Sequence, residues 1–478
     1  MTGPRRIGNA SGRGLPFTFA GRALAGREGD TIASALLANG ITTVGHSFKY
    51  RRPRGIFAAG EDEPNAIVDV ILHGTRLPNV RATVLPLEAG MQITPVLGRR
   101  AALLTRMLAP FIPSGFYYKT FLWPDWHLFE PAIRQMAGLG RLDPSSRMAG
   151  GPGGHLAVDL CVVGAGRAGL EAAVTAARAG RRVLVVERQA EPGGCALWQG
   201  STAVQPLIAE AGALGIPIWT RAVAFGAYEA GRLGVWRQGA GLSEAGAVWT
   251  VAARETVLAT GAIERPLLLQ GNDLPGVMLA DAALYYLRRH GVICGDQPVV
   301  AVNNDSGYAP ALALAEAGAR VTLVDSRSDA PRAEAARAAG ITVLTGRRIA
   351  RALGRGAVRG VLLDEGQSLG ADALLTSGGW TPTLHLYCQA GGKAVWDEAR
   401  RLLLPAYPVP GIRLAGRALG DCPPPGGLPF DWAGAVPIPA GGRARKTWLD
   451  LQNDVTLGDV HLAAAENFTS VEHLKRYT

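Results

Sequence analysis

The chain has 478 residues, and none before Cys161 is a cysteine. Thiolates therefore cannot hold an iron–sulfur cluster in that stretch. The five cysteines, Cys161, Cys195, Cys294, Cys388 and Cys422, contain no CxxC pair and no zinc spacing. No metal site is expected, and the sparse, odd count suits a reducing cytoplasm. No apolar run reaches the length of a membrane-spanning helix, so no membrane contact is expected. The N-terminus, MTGPRRIGNASGRG, carries charge with no apolar stretch behind it and does not read as a secretory signal. Lysine is scarce, supplying five of the 49 basic residues, and the formal net charge is +10. No nucleic-acid reader motif accompanies that charge, so an acidic protein partner is expected rather than nucleic acid. No Ser–His–Asp arrangement and no acid/base pair stands out, and no catalytic residue is assigned.

The composition, 48% hydrophobic and 18% charged, permits several domains with sizeable cores. LPFTF (15–19) and RALAG (22–26) read as strands around Ala20-Gly21. Asp30 reads as the N-cap of a helix over 31–38, and Asn39-Gly40 as its stop. Strand, strand, helix opens a β-grasp module over 1–95, with IFAAG (56–60) and NAIVDVIL (65–72) as further strands. Residues 96–155 hold an aromatic stretch, 115–130, read as a packing arm against another surface. A Gly/Pro-rich linker, 143–155, follows.

From residue 156 strands and helices alternate. LAVDLCVV (156–163) is a buried parallel strand by its β-branched content, a helix runs to Ala179, and RVLVVE (182–187) is the next strand. Residues 298–325 repeat the strand–helix–strand plan. The expected fold class is α/β with an α+β N-terminal part: a Rossmann domain over 156–265 plus 376–440, and a second Rossmann-like domain inserted at 266–375. Residues 441–478 read as a helical tail whose stripe, Val460, Ala464, Phe468, Val471 and Leu474, should pack back on the dinucleotide region.

The strongest chemical signal is the run Gly164-Ala165-Gly166-Arg167-Ala168-Gly169, a GxGxxG between a strand and a small-residue helix. Gly164 allows the turn, Gly166 lets a pyrophosphate approach the backbone, and Gly169 lets helix and sheet pack closely. Glu187 ends the second strand, where a carboxylate can accept ribose hydroxyls and disfavour a 2′-phosphate. Arg188 beside it weakens that exclusion. Gly193-Gly194 is a turn expected against the dinucleotide, and Thr260-Gly261 an ATG-type strand end. IRLAG (412–416), ending at Gly416, returns to the same domain. These residues predict one bound adenine dinucleotide, NAD or FAD, because both share the ADP half. The corresponding loop of the second unit reads Asn303-Asn304-Asp305-Ser306-Gly307-Tyr308. Asp305 is expected to repel a phosphate there, leaving the second unit empty. Cys195 has no nearby partner for a redox disulfide.

Several long strings carry a family resemblance: HSFKYRRPRG (46–55), GEDEPNA (60–66), GFYYKTFLWP (115–124), ATGAIERP (259–266), NDLPGVMLADAA (272–283), VVAVNNDSGYA (299–309) and the segment from Asn453 to Thr478. In order along the chain they resemble the α subunit of heterotetrameric sarcosine oxidase. The resemblance implies a ferredoxin-like β-grasp domain without its cluster, followed by a disulfide-reductase-like region holding NAD. It implies FMN at an interface with a β subunit, and FAD with the amine-oxidising site on β. Small accessory subunits complete the assembly. The reaction implied is oxidative N-demethylation of sarcosine with O2 and a folate acceptor. The family continues past the KRYT string into a folate-binding half that these residues lack, so the folate site is absent, supplied by another chain, or in residues beyond Thr478. Relatives with a similar first half act on opines, proline or glycine. The competing readings are a self-sufficient FAD/NAD(P)H oxidoreductase and a non-catalytic scaffold.

Overall fold

The computed structural model describes residues 3–8, 12–47, 49–96, 123–125, 127–131, 150–239, 246–422 and 445–478. Most of the aromatic stretch and of the Gly/Pro-rich linker lies outside them. The chain divides into two compact units: Met1–Ser146 with Pro266–Ser377 and Gly426–Thr478, and Arg147–Arg265 with Gly378–Pro425.

The first unit begins with a five-stranded sheet. Its strands are β1 (Gly14–Phe19), β2 (Arg22–Arg27), β3 (Ile67–Leu72), β4 (Thr75–Arg81) and β5 (Gln92–Pro95), in the order β2-β1-β5-β3-β4. β1 and β2 are joined by Ala20-Gly21, both at positive φ (50° and 80°), the turn whose twist matches an antiparallel pair. β1 and β5 run parallel, which closes the grasp around helix α1 (Ile32–Ala38). α1 buries Ile32, Ala33, Ala35, Leu36 and Leu37.

Two local expectations are corrected here. The N-cap of α1 is Thr31, not Asp30: Thr31 Oγ1 accepts from Ser34 N and Ser34 Oγ accepts from Thr31 N, a reciprocal capping box. Asp30 is instead buried among Arg6, Arg27 N, Ser34 Oγ and His290. Burial raises its pKa, but the hydrogen bonds from His290, Arg27 and Ser34 and the Arg6 charge outweigh that and hold it below the ordinary value. The second correction is IFAAG, which is not a strand. Phe57 N and Ala58 N donate to Glu63 Oε2 at 2.7 and 2.6 Å, so no ladder can use them. Asn65 N and Ala66 N donate to Oε1 at 2.6 and 3.0 Å. A fully buried carboxylate thus sits in a nest of four backbone N–H groups.

The second unit is a seven-stranded sheet. Its strands are β6 (Gly154–Val163), β7 (Val183–Val186), β8 (Ile218–Trp219), β9 (Ala222–Tyr228), β10 (Arg232–Arg237), β11 (Ala247–Leu258) and a late strand from Ile412 to Leu414. The order is β8-β7-β6-β11-β10-β9, and the late strand runs parallel to the end of β11. β6 is central because both its faces are covered: Leu160 and Val162 contact helix-side residues, Cys161 and Val163 the opposite layer. Helix α2 (Arg167–Arg178) follows β6 and buries Leu170, Ala173 and Val174. A short strand, β12 (Ala262–Glu264), leaves the sheet after β11.

The insertion returns the chain to the first unit. Strands β13 (Val277–Leu279), β14 (Pro298–Val302), β15 (Thr322–Asp325), β16 (Thr342–Thr345) and β17 (Ala373–Ser377) form a wholly parallel sheet, ordered β13-β17-β14-β15-β16. Helices α3 (Ala280–His290) and α4 (Tyr308–Glu316) connect its strands. β18 (Trp380–Pro382) then pairs with β12, and the late strand, β19 (Ile412–Leu414), completes the second unit.

The tail is helical in two pieces. Helices α5 (Leu457–Ala465) and α6 (Val471–Tyr477) are separated by a break at Asn467, φ 69°. Ala463, not Ala464, is the buried alanine, and Phe468 stacks on Tyr477 at 4.5 Å. Asn272 exchanges two hydrogen bonds with the Trp448 backbone at 2.9 Å each. Arg52 pairs with Asp454 at 2.8 Å, both buried, and stacks on Trp448 at 4.9 Å. Through Trp448 and Asp454 the segment leading into α5 is tied to the insertion and the β-grasp module.

The Glu63 nest generates a stability prediction. Burial pushes this carboxyl up to about 7 against the four N–H groups that pull it down. A raised carboxyl favours folding while protonated, so its contribution is full below its ordinary value and fades as pH rises through about 7. Glu63→Gln turns an NH2 group toward N–H donors and leaves two of them unpaired, costing about 2–4 kcal/mol. Urea unfolding at pH 5 and pH 8 will show the variant destabilised at both, with the larger deficit at pH 5.

Candidate functional site

The loop after β6 is shaped by what cannot be there. A Cβ on Gly164 (φ 103°) would lie 2.3 Å from Ala259 O, and one on Gly169 would lie 1.9 Å from Gly164 O. Both glycines are therefore required for α2 to start against the strand ends. Gly166 is different: a Cβ there would meet nothing within 4 Å. It is the N-cap of α2 and provides no side-chain cap, so the first-turn N–H groups face a space bounded by glycine. That is a cradle of the kind a pyrophosphate fills.

The neighbouring segments close on this loop. Gly193 (φ 135°) donates to Ala165 O at 2.9 Å, and a Cβ on Gly194 (φ 56°) would lie 2.9 Å from Gly166 Cα. Cys195 follows as the N-cap of a short helix, Ala196–Gln199. On the β7 side, Glu187 is buried. Its Oε2 accepts Ala165 N at 2.7 Å and its Oε1 accepts Gln189 N at 2.8 Å. Each oxygen keeps a lone pair for another donor. Arg188 is exposed at the strand exit. On the β11 side, Thr260 Oγ1 donates to Thr383 O at 2.7 Å and Gly261 (φ 73°) turns the chain into β12. Gly416 (φ 60°) follows β19, where a Cβ would lie 2.8 Å from Ala168 Cβ in the first turn of α2. Glu187, Arg188, Thr260, Gly261 and Gly416 thus follow strands of the sheet, and Gly193-Gly194 packs on the loop formed by Gly164, Gly166 and Gly169.

Sequence reasoning missed two residues here. Arg417 stacks on Trp380 at 4.6 Å and donates to Gln199 Oε1 at 3.2 Å. Adjacency to Gly416 could have drawn attention to Arg417; nothing in the sequence ties it to Trp380.

The second loop has a different chemistry. Asn304 is buried, its Oδ1 accepts Ser306 N at 2.9 Å, and its Nδ2 donates to Asn303 Oδ1 and Ser377 O. The carboxamide fills the turn before α4 that glycines would leave open. Asp305, expected to repel phosphate, is neutralised by Arg327 at 2.7 Å and Arg332 at 3.7 Å. Asp325, ending β15, is occupied by Arg327 and by the Tyr308 hydroxyl, each at 2.8 Å. The asparagine side chain thus occupies this turn, and arginines balance the aspartate charge. Among the described residues no cluster could hold a metal ion, and no helix is long and apolar enough to cross a membrane.

The glycines predict opposite outcomes in the same helix turn. Gly169→Ala should destabilise the chain by about 1–3 kcal/mol, because the strand end or the helix must move. Gly166→Ala should leave unfolding within about 0.5 kcal/mol of the parent. Thermal unfolding of the two variants side by side checks this.

Three family models match successive stretches of the chain. Residues 158–404, just over half of it, match the pyridine nucleotide-disulphide oxidoreductase family model. Residues 12–96 match the 2Fe-2S iron-sulfur cluster binding domain, although they contain no cysteine. Residues 444–478 match the sarcosine oxidase A3 domain. The chain is 37% identical to sarcosine oxidase subunit alpha of Rhizobium meliloti (strain 1021) over 97% of its own length and 52% of that protein. It is 34% identical to the subunit of that name from Corynebacterium sp. (strain P-1), over 98% of itself and 51% of that protein. It spans about half the length of the curated relatives it matches. The crystal structure of L-proline dehydrogenase from P. horikoshii shares its fold, with a TM-score of 0.68 at 18% identity, covering 99% of this chain and 89% of that one. The chain belongs to the pyridine nucleotide-disulphide oxidoreductase family, and along nearly its whole length it is similar to sarcosine oxidase α subunits.

Proposed function

We propose that this chain is the NAD-binding α-type subunit of a multi-subunit, sarcosine oxidase-like flavoenzyme of the cytoplasm. The observation that carries the reading is the open Gly166 cradle, set in a chain similar to those subunits from end to end. Gly164 and Gly169 fix the loop, and the α2 N-terminus faces the phosphates. Glu187, already anchored by Ala165 N, accepts ribose hydroxyls. A carboxylate at that place disfavours a 2′-phosphate and so favours NAD over its phosphorylated form. Bound there, a nicotinamide dinucleotide would supply a hydride acceptor or donor. FAD at the same loop is the alternative, since its ADP half makes the same demands.

The amine chemistry belongs to a β-type flavoprotein subunit carrying FAD, with FMN shared at the interface. Small accessory subunits complete a heterotetramer, and folate transfer lies outside these residues. The basic charge of this chain suits an acidic companion. A self-sufficient FAD/NAD(P)H oxidoreductase is disfavoured, because it needs a second open nucleotide loop and Asn304 fills that one. Proteins acting on opines, proline or glycine would share this subunit type, and the amine itself is selected on the partner.

Mass spectrometry of ligand released from the purified chain tests the reading. One NAD per chain is expected, lost from Gly166→Val without loss of folding, with sarcosine-dependent turnover only when a β-type partner is added. FAD released in place of NAD selects the alternative. Full dinucleotide retention in Gly166→Val overturns the site.

A further inference from the structure

A dinucleotide at this site crosses the carboxyl ends of several strands. Glu187 lies on the β7 side of β6, whereas Gly261 and Gly416 lie on the β11 and β19 side. With the adenosine ribose at Glu187 and the first phosphate at Gly166, the remaining half must run toward β11 and β19. The Arg417–Trp380 pair stands on that path. Its backbone is fixed because Gly416 lies against Ala168 in the first turn of α2. Its guanidinium is held by Gln199, at the end of the helix that follows the Gly193-Gly194 turn. Trp380 is itself buried and pairs through β18 with Glu264 of β12, just beyond Gly261. Three segments that border the cradle thus converge on one cation. No carboxylate is recorded within ion-pair distance of Arg417 among the described residues, so its charge is available to an anion.

We propose that Arg417 is a positioning residue for the second phosphate of the bound dinucleotide, held ready by the Trp380 ring and the Gln199 amide. The inference rests on the dinucleotide reading above and adds a contact which that reading does not need. An arginine preset by a ring and an amide loses little side-chain freedom on binding, and its hydrogen bonds to phosphate are charge-assisted. AMP has one phosphate and should not reach it. ADP-ribose and NAD carry the second phosphate and should.

The test is calorimetry with AMP, ADP-ribose and NAD on the full chain stripped of co-purified ligand. For Arg417→Gln we expect ADP-ribose and NAD to weaken by at least about tenfold, AMP to stay within about twofold, and Arg417→Lys to recover part of the loss. Trp380→Leu, which removes the platform but keeps the charge, should weaken the same two ligands to a smaller degree, and it serves if Arg417→Gln folds poorly. Equal loss of all three ligands would mean that Arg417 only supports the loop, and would overturn the proposal. So would unchanged binding of ADP-ribose. If the parent chain binds none of the three, the dinucleotide reading itself falls, which is distinguishable from a parent that binds and a variant that binds equally well.

Discussion

The close approach of α2 to the end of β6 is the constraint on which the second unit depends. Gly164 O lies where a Cβ of residue 169 would be, and Ala259 O where a Cβ of residue 164 would be. Strand β11, loop and helix therefore share one small volume that admits only backbone. Because they do, the ends of β6, β7, β11 and β19 gather around a single helix start. Glu187, Gly261 and Gly416 come from distant parts of the sequence and owe their neighbourhood to that packing. The N–H groups of the first turn stay uncapped at the same place, which is what gives the packing a chemical use.

The first unit shows the opposite treatment of similar frames. Its N-terminal module matches a cluster-binding domain, and within it the Glu63 carboxylate collects four backbone N–H groups. Its parallel sheet has the order of a nucleotide-binding unit, yet Asn304 turns its carboxamide into the first turn. In both places a side chain of the protein meets the hydrogen-bonding demand that a ligand could meet. Burying such groups costs desolvation, and complete hydrogen bonding offsets it. The tail adds to the same unit through Arg52–Asp454 and Asn272–Trp448.

Local signals in the sequence determined a good deal. The β1–β2 turn, α1, the GxGxxG loop and the parallel strands are legible because each depends on neighbours in the chain: turn glycines, apolar periodicity, β-branched runs. The missing cysteines excluded thiolate ligation before any coordinate was known. The long motifs carried the resemblance to sarcosine oxidase α subunits, and that resemblance holds along nearly the whole chain. Reading IFAAG as a strand failed because its N–H groups go to Glu63, a choice that composition does not encode. Asp30 is not the cap: Ser34 of α1 itself, with Arg6 and His290 from distant parts of the chain, takes its oxygens.

Only the tertiary structure decided which side chains close which loops. Asp305 is paired with Arg327 and Arg332, and Asn304 fills the turn beside it. The tail's stripe is divided at Asn467, and the residues just before α5 bond to the β-grasp module and the insertion. Arg417 and Trp380 are separated by most of the chain's return to the second unit, and no periodicity links them. A sequence reports the hydrogen-bonding capacity of each residue and the local geometry it tolerates. Which capacities cancel depends on contacts between residues far apart in the chain, and those exist only once the strands have taken their order.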